Sequence, residues 1–424
     1  MRVAFFLHEF PRISETFILS QITGLIDRGC TVDIYAHKAD DAPLHADVKR
    51  YNLLEKTTYY KLDKHMMPAN MGVRIIKALQ ILIRNLTKNP APLLRSLNPA
   101  LFTNNQYSGR VRSLWLFYAT AMFLDYGIDQ YDAVHCHFGP QGNGKTFLKI
   151  NGAIKGRFLT TFYGFDVNRH VELRGKRVYD GLFEHTDHIL ALSNVMREQL
   201  IKLGCPEDKA IVHRLGVDPE EFRFSPRLPK AGKTVNLLTI SRLVEKKGVE
   251  YGIRAVAKVL REYPQISYQI AGEGPLRPEL EQLIRELEVE KQVTLLGWQQ
   301  KADMIDLLSK TDVLLAPSVV ASDGDEEGTP TALVEASARG IPVISTWHSG
   351  IPEVVQDGQS GYLVPERDAD ALAEKLMYLL THQDCWSEMG DNGRQHVLSH
   401  FDVNNLNGQL IELYQTGTKR MVAS

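Results

Sequence analysis

Val235-Asn-Leu-Leu-Thr-Ile240 runs directly into Ser-Arg-Leu-Val-Glu-Lys-Lys-Gly248 and then into a helical apolar pattern over Gly252–Glu262. A short apolar run reads as a buried strand, and one that leads through a charged, glycine-ended loop into a helix is half of a parallel βα unit. The alternation continues with strands at Ile266–Ala271, Val293–Leu296, Val313–Ala316 and Val343–Ser345 and a helix at Leu276–Leu287. Upstream it is met again at Arg2–Leu7, Thr31–Tyr35, Ala133–His137, Phe158–Phe162 and His188–Ala191. Between the two series Asp218, Pro219, Pro226 and Pro229 punctuate a polar stretch that reads as a linker.

This pattern predicts an α/β protein with two doubly wound, Rossmann-like parallel-sheet domains. The boundaries fall at residues 1–217 for the first domain, 218–233 for the linker and 234–404 for the second, with a last helix and tail over 405–424. Two such domains facing each other place a ligand cleft at the carboxyl ends of their strands.

Composition narrows the function. Lys+Arg is 49 against Asp+Glu 51, a net charge of -2, which argues against a dedicated nucleic-acid binder. The four cysteines, Cys30, Cys136, Cys205 and Cys385, are far apart, so neither a zinc site nor a disulfide framework is expected and a reducing cytoplasm is the natural compartment. The opening run MRVAFFLHEF reads as a first strand rather than a signal peptide, and no apolar window is long enough for a membrane span. Charge is uneven, however. From Lys64 to Leu124 there is no acid, while Lys64, Arg74, Lys77, Arg84, Lys88, Arg95, Arg110 and Arg112 are present. Within this basic helical segment, Val73–Lys88 reads as a helix with Ile75, Ile76, Leu79, Leu82, Ile83 and Leu86 at helical spacing. Its plain reading is a core-facing helix with a solvated basic side. The sharper reading makes residues 64–112 a surface for an anionic membrane or a lipid-linked substrate.

Residues 139–146, Gly-Pro-Gln-Gly-Asn-Gly-Lys-Thr, fit the GxxxxGK[ST] phosphate loop, and this keeps open an NTPase that uses Lys145. The stretch lies late in its domain, no apolar run ending in a Mg²⁺-binding Asp follows, and richer phosphate-binding signals lie elsewhere.

The densest of those signals is Asp325-Glu-Glu-Gly-Thr-Pro-Thr-Ala-Leu-Val-Glu-Ala-Ser-Ala-Arg-Gly-Ile-Pro342. Thr329 is placed to cap a buried helix over Pro330–Arg339, with Gly340 just past its end. The free amides at such a helix start suit a diphosphate, and Glu335, about 7–8 Å further along, suits the two hydroxyls of a ribose. Glu327 then points past the phosphates towards a sugar. The plainer alternative leaves Glu327 a solvated loop acid and pairs Glu335 with an Arg. Arg242 and Lys247 follow the strand at Val235–Ile240 and suit charge neutralisation of a departing diphosphate without a metal. Ile270-Ala-Gly-Glu-Gly-Pro275 is a strand followed by a glycine turn, which permits close approach of a planar base at Gly272 and Gly274. Asp323-Gly-Asp325 resembles a Mn²⁺-binding DxD, but reads here as a solvated acidic loop, and no metal or other cofactor is expected.

Glu327 with Glu335, the Ser241–Gly248 loop, the Ala271–Pro275 turn and Gly350-Ile-Pro-Glu-Val-Val-Gln-Asp-Gly-Gln-Ser-Gly-Tyr-Leu-Val364 together resemble the retaining glycosyltransferases of family 4. Phe10-Pro-Arg-Ile-Ser-Glu-Thr-Phe17 and Val212-His-Arg-Leu-Gly-Val-Asp218 are similar to the bacterial exopolysaccharide members of colanic-acid type. The resemblance implies the GT-B fold and transfer of a hexose from a nucleotide-sugar, UDP favoured, to a glycan or lipid-linked saccharide. It implies Arg242 and Lys247 on the diphosphate, Glu335 on the ribose, and Glu327 beside the transferred sugar with Gly328, Thr329 and Pro330 around it. On the acceptor side it implies Ser14, Glu15, Thr16, His137, Gly139, Tyr163 and Asp166. The cysteine usage and the basic segment together lead to the expectation of a cytoplasmic protein, peripheral on the inner face of the cytoplasmic membrane. One departure stands out. In Thr161-Phe-Tyr-Gly-Phe-Asp166, Tyr163 takes the place of the family's His, so a catalytically impaired nucleotide-sugar-binding protein is a rival reading.

Overall fold

The computed structural model describes residues 1–12, 15–40, 44–63, 65–102, 105–230 and 232–416. The chain divides into two units. The first comprises residues 1–191, 197–212 and 407 onward; the second comprises 192–196 and 213–406.

Among the described residues, the first unit holds β1 (Arg2–Glu9), β2 (Thr31–Lys38), β3 (Thr57–Tyr59), β4 (Ala133–His137), β5 (Arg157–Thr161), β6 (His188–Ala191) and β7 (Ala210–Val212). They form one sheet in the order β3-β2-β1-β4-β5-β6-β7, and every pairing is parallel. Helices cover both faces of such a sheet, which is why β1 reads as an unbroken apolar run and Val3–Leu7 is buried throughout. The strand order reverses between β1 and β4, so the loops after those strands diverge there and leave the fold's ligand-binding position. The last helix, Val403–Thr416, contributes Leu410, Leu413 and Tyr414 to this core, and the Tyr414 hydroxyl lies 2.6 Å from His135 Nδ1.

The second unit repeats the architecture with β8 (Val235–Ile240), β9 (Ile266–Ala271), β10 (Val293–Gly297), β11 (Val313–Ala316), β12 (Val343–Thr346) and β13 (Gly361–Val364) in the order β10-β9-β8-β11-β12-β13. Its reversal lies between β8 and β11. The loops after these two strands carry Arg242, Lys247 and Glu327. The polar stretch 218–233 is seated on this unit. Phe222 is buried, and the Arg227 guanidinium donates to the carbonyls of Thr311 at 2.6 Å and Leu308 at 2.9 Å.

The strand pattern of the sequence is found in place. The additional strands β3, β7 and β13 are three or four residues long and lie at sheet edges, too short for a periodicity to register. The basic helix, Met71–Asn85, corrects the plain reading of its faces. Ala78, Ile81 and Leu82 pack on Leu93, Phe117, Tyr118 and Ala121, whereas Ile75, Ile76, Leu79, Ile83 and Leu86 are exposed. The basic side is not simply solvated either. Arg74 is buried and donates to the carbonyls of Pro68 at 2.7 Å, Ser113 at 2.8 Å and Ala69 at 3.2 Å, while Arg84 pairs with Asp125 at 2.7 Å. Lys64 lies outside the described residues. No helix among the described residues is long and apolar enough to cross a membrane, and the four cysteines are free.

Candidate functional site

In the second unit, β8 and β9 end side by side, and their loops are locked together through glycine. Gly272 has φ +144, and a Cβ there would stand 1.8 Å from the Ser241 carbonyl oxygen; one at Gly274 would stand 2.4 Å from that of Leu243. The backbone amides of Ser241 and Leu243 donate to the carbonyls of Ala271 at 3.0 Å and Glu273 at 2.9 Å. The room left by the two glycines is therefore filled by the chain's own Ser241–Leu243 backbone, not by a base as the sequence suggested. The consequence is a fixed path for the loop that carries Arg242, whose side chain is exposed with no ion pair or hydrogen bond among the described residues.

Lys247 and Glu327 form an ion pair with side chains only 15% and 13% exposed. Burial alone raises the Glu327 carboxyl, but Lys247 and Lys246 more than offset it and hold it below the usual carboxylate range. Lys246 is buried, pairs with Asp325 at 3.0 Å and donates to the Glu326 carbonyl at 3.0 Å. This corrects the reading of Asp323-Gly-Asp325 as a solvated loop, because Asp325 is an anchor of the segment leading to Glu327. It corrects the reading of Glu327 as a free surface acid for the same reason. Among the described residues, no group of three His, Cys, Asp or Glu is placed to hold a metal ion.

The backbone at Glu327 is held from the other side by His348. The Glu327 amide donates to His348 Nε2 at 3.0 Å, and His348 Nδ1 lies 2.6 Å from Glu366 Oε1, which makes it the donor to that carboxylate. Glu366 also accepts the Val320 amide at 2.8 Å. Gly350 completes the support, since a Cβ there would stand 2.8 Å from the Gly328 carbonyl oxygen. Three residues on, Glu353 pairs with Arg214 at 2.6 Å.

The helix that follows spans Thr331–Ala338, with Pro330 rather than Thr329 at its N-cap and no side-chain cap. Its first amides are thus left without a side-chain acceptor. Past its end Gly340 adopts φ +76, and the Ile341 amide donates back to the Ala336 carbonyl at 3.0 Å, closing the helix as the sequence predicts. Glu335 is half-buried with no ion pair or hydrogen bond among the described residues, which sets aside the Arg-paired alternative. Burial pushes its carboxyl up to about 7, opposed by Lys301 and reinforced by Glu221.

In the first unit the residues expected on the acceptor side form a second cluster. Asp166 is fully buried and accepts the backbone amides of Gly139 at 2.8 Å, Tyr163 at 2.8 Å and Gly164 at 3.0 Å. Burial pushes its carboxyl up to about 6 against those three amides. Tyr163 Oη lies 2.6 Å from His137 Nδ1, and burial pushes His137 down to about 3, so its imidazole is neutral. Burial likewise holds the Tyr163 phenol well above its ordinary range. Glu15 is pushed up to about 7 by burial, although Arg12 donates to it at 3.3 Å; Thr16 is exposed at the start of the helix Thr16–Asp27, and Ser14 lies outside the described residues.

The phosphate-loop reading of residues 139–146 fails. The whole motif is the first part of a helix, Gly139–Ile150, so its amides after the first turn are spent on helical bonds and no loop exists to wrap a phosphate. Gly142 serves packing, because a Cβ there would stand 2.2 Å from Thr160 Oγ1.

Residues 14–221 match the family model described as glycosyltransferase family 4, and residues 220–396 match that of the glycosyl transferases group 1. Over 98% of its length and the whole of the relative, the chain is 36% identical to WcaL of Salmonella typhimurium, named for colanic acid biosynthesis. The chain is a family 4 glycosyltransferase. It is also 34% identical to the amylovoran biosynthesis glycosyltransferase AmsK of Erwinia amylovora over 89% of this chain and 90% of that one. Among solved structures, Anabaena HepE in complex with UDP matches with a TM-score of 0.69 at 16% identity, covering 98% of this chain and all of the other. Sucrose-phosphate synthase from Thermosynechococcus elongatus matches at 0.67 with 20% identity, covering 98% of each chain. These likenesses show the GT-B fold. Sequence reasoning missed Lys246, His348 and Glu366 in this glycosyltransferase. The available signal was position, since His348 lies just past the carboxyl end of β12, where a parallel sheet presents its functional residues.

Proposed function

We propose that this glycosyltransferase moves a hexose from a nucleotide-sugar, with UDP favoured, to a glycan or lipid-linked saccharide in surface polysaccharide biosynthesis, with retention at the anomeric carbon. The observation that carries the reading is the Lys247–Glu327 pair, held by Lys246 and His348 ahead of a helix start and followed by Glu335, which has no partner among the described residues. Arg242, Lys247 and the first amides of the helix Thr331–Ala338 take the donor diphosphate, and Glu335 accepts the ribose hydroxyls. Gly328, Thr329 and Pro330 lie beside the sugar, and Gly272 and Gly274 fix the loop that carries Arg242. Glu327 positions the sugar and stabilises positive charge at its anomeric carbon.

In the reaction the bond from the anomeric carbon to the diphosphate oxygen breaks, the acceptor oxygen bonds to that carbon on the same face, and the acceptor proton passes to the leaving diphosphate. Charge on the leaving group is met by Arg242 and Lys247 without a divalent metal. No protein base is required, which accommodates Tyr163 in place of a His. Glu15, Thr16, His137, Gly139, Tyr163 and Asp166 serve the acceptor. The test is turnover of UDP-hexose with a lipid-linked saccharide acceptor in EDTA: Glu327→Gln is expected to abolish it, and near-native turnover in that variant would sink the assignment. Donor binding without transfer to any acceptor would favour the impaired-enzyme reading.

The exposed apolar row of the helix Met71–Asn85, with Arg84 and Lys88 beside it and no acid on it, suits a peripheral seat on an anionic membrane at the cytoplasmic face. Vesicles of anionic lipid should co-sediment the wild-type protein and fail to co-sediment an Ile76→Asp/Ile83→Asp variant at low salt.

A further inference from the structure

Lys145 has no part in the donor chemistry and no phosphate loop to serve, yet it is 5% exposed and forms no ion pair with a carboxylate among the described residues. Its single hydrogen bond among the described residues is a long one, 3.5 Å to Gln141 Oε1. Its ammonium instead stands 5.2 Å from the centre of the Phe6 ring and 5.0 Å from that of Tyr60. Aromatic faces attract a cation but supply no counter-charge.

The surroundings close a ring of side chains around it. Gln141 Nε2 lies 3.4 Å from His8 Nδ1, the His8 and His37 rings are 5.8 Å apart, and His37 Nε2 lies 2.9 Å from the Tyr60 hydroxyl. His8 and His37 are at the carboxyl ends of β1 and β2, Tyr60 follows β3, and Gln141 and Lys145 lie on the helix that follows β4. This is the ligand side of the sheet, beside the reversal of strand order between β1 and β4. His37 keeps part of its surface exposed, and desolvation of the rest, with Lys145 and His8 beside it, pushes its imidazole down to about 4, so it stays a neutral hydrogen-bonding group. Burial pushes Lys145 down to about 8, which still leaves it a cation at neutral pH. A buried cation without a counter-ion is costly unless a ligand supplies the charge.

We propose that Lys145, framed by Gln141, His8, His37 and Tyr60, is the base of an anion subsite in the first unit that takes one phosphate or carboxylate group of the acceptor. The subsite rests on the glycosyltransferase reading for the word acceptor, but not for its chemistry. Oxyanion binding places the negative charge against Lys145 Nζ, with the Gln141 amide and the His37 imidazole N–H as neutral donors, while His8 accepts from Gln141 at Nδ1 and has its Nε2 4.0 Å from Glu9.

The full-length protein, saturated with UDP to fill the donor site, is titrated with inorganic phosphate and separately with D-glucuronate, by calorimetry and by the histidine-selective NMR signal of His37. At least one probe is expected to bind and to move the His37 signal, and which one does so tells phosphate from carboxylate. Lys145→Met should weaken that binding by about 10- to 100-fold, the cost of one charge-assisted hydrogen bond, with UDP affinity unchanged. Lys145→Arg should retain most of it. Failure of both probes to move His37 in the wild type would overturn the subsite whether or not the variants fold, as would equal binding in Lys145→Met. UDP that fails to bind while a probe still moves His37 would instead overturn the donor reading and leave the anion subsite standing.

Discussion

Replacing Glu335 with Gln separates what one carboxyl costs the fold from what it gives the donor. Burial raises its pKa from 4.5 to about 7. A raised carboxyl pKa means that ionisation opposes the folded state: the stability is fully present below about pH 4.5 and is lost as the pH rises through about 7. The shift corresponds to at most about 3 kcal/mol, and the half-buried position argues for the lower part of a range of about 1–3 kcal/mol. Glu335→Gln should therefore raise the unfolding midpoint at about pH 8 by a few degrees and leave it unchanged near pH 4.5. Donor affinity should move the other way. The carboxylate is the form that accepts both ribose hydroxyls, and its ionised fraction falls about tenfold between about pH 8 and pH 6. Calorimetric titration with UDP-glucose, whose diphosphate does not itself titrate in that range, should show wild-type affinity falling about tenfold over the interval. The Gln variant should bind more weakly, by about 10- to 100-fold at the upper pH, with a flat profile. A variant that is less stable at about pH 8, or a wild-type affinity indifferent to pH, would refute the assignment of Glu335 to the ribose.

Other substitutions probe the supports. Gly272→Ala sets a Cβ against the Ser241 carbonyl at a positive φ and should cost at least about 2 kcal/mol in chemical denaturation. His348→Ala leaves the Glu327 amide and Glu366 without their shared partner; it should cost about 1–3 kcal/mol of stability and lower kcat more than it raises the donor KM in steady-state kinetics. The Ile76→Asp/Ile83→Asp variant, lost from anionic vesicles, should keep its turnover with a water-dispersed acceptor analogue, because those residues lie on the exposed face of their helix.

The parallel sheets were legible because their central strands are buried on both faces and so read as unbroken apolar runs, β1 and β11 being the plainest. Edge strands such as β3 and β7 have neither the length nor the two-sided burial that makes such a run. The helix after Pro330 was legible to within a residue, since its small apolar composition and Gly340 have direct conformational causes. The helix at Met71–Asn85 shows the limit of periodicity, because spacing reveals that apolar rows exist but not which of them the rest of the chain covers. The Gly139–Thr146 stretch misled for a related reason. Gly139 and Gly142 answer to packing against the Phe162 ring and Thr160, a tertiary demand that leaves a phosphate-loop spacing by coincidence, while Gly144 faces open space. Lys246, His348 and Glu366 act by holding a backbone in place, and a residue that supports another from a distant strand end leaves no spacing of its own.

Binding of UDP-glucose in EDTA to the wild type, Lys247→Ala and Arg242→Ala reaches the central claim most directly. Metal-free binding weakened by about 10- to 100-fold in each variant is the expected result, since each removes a charge-assisted contact to the diphosphate. Donor binding that survives both substitutions undiminished, or that appears only with a divalent cation, would contradict it.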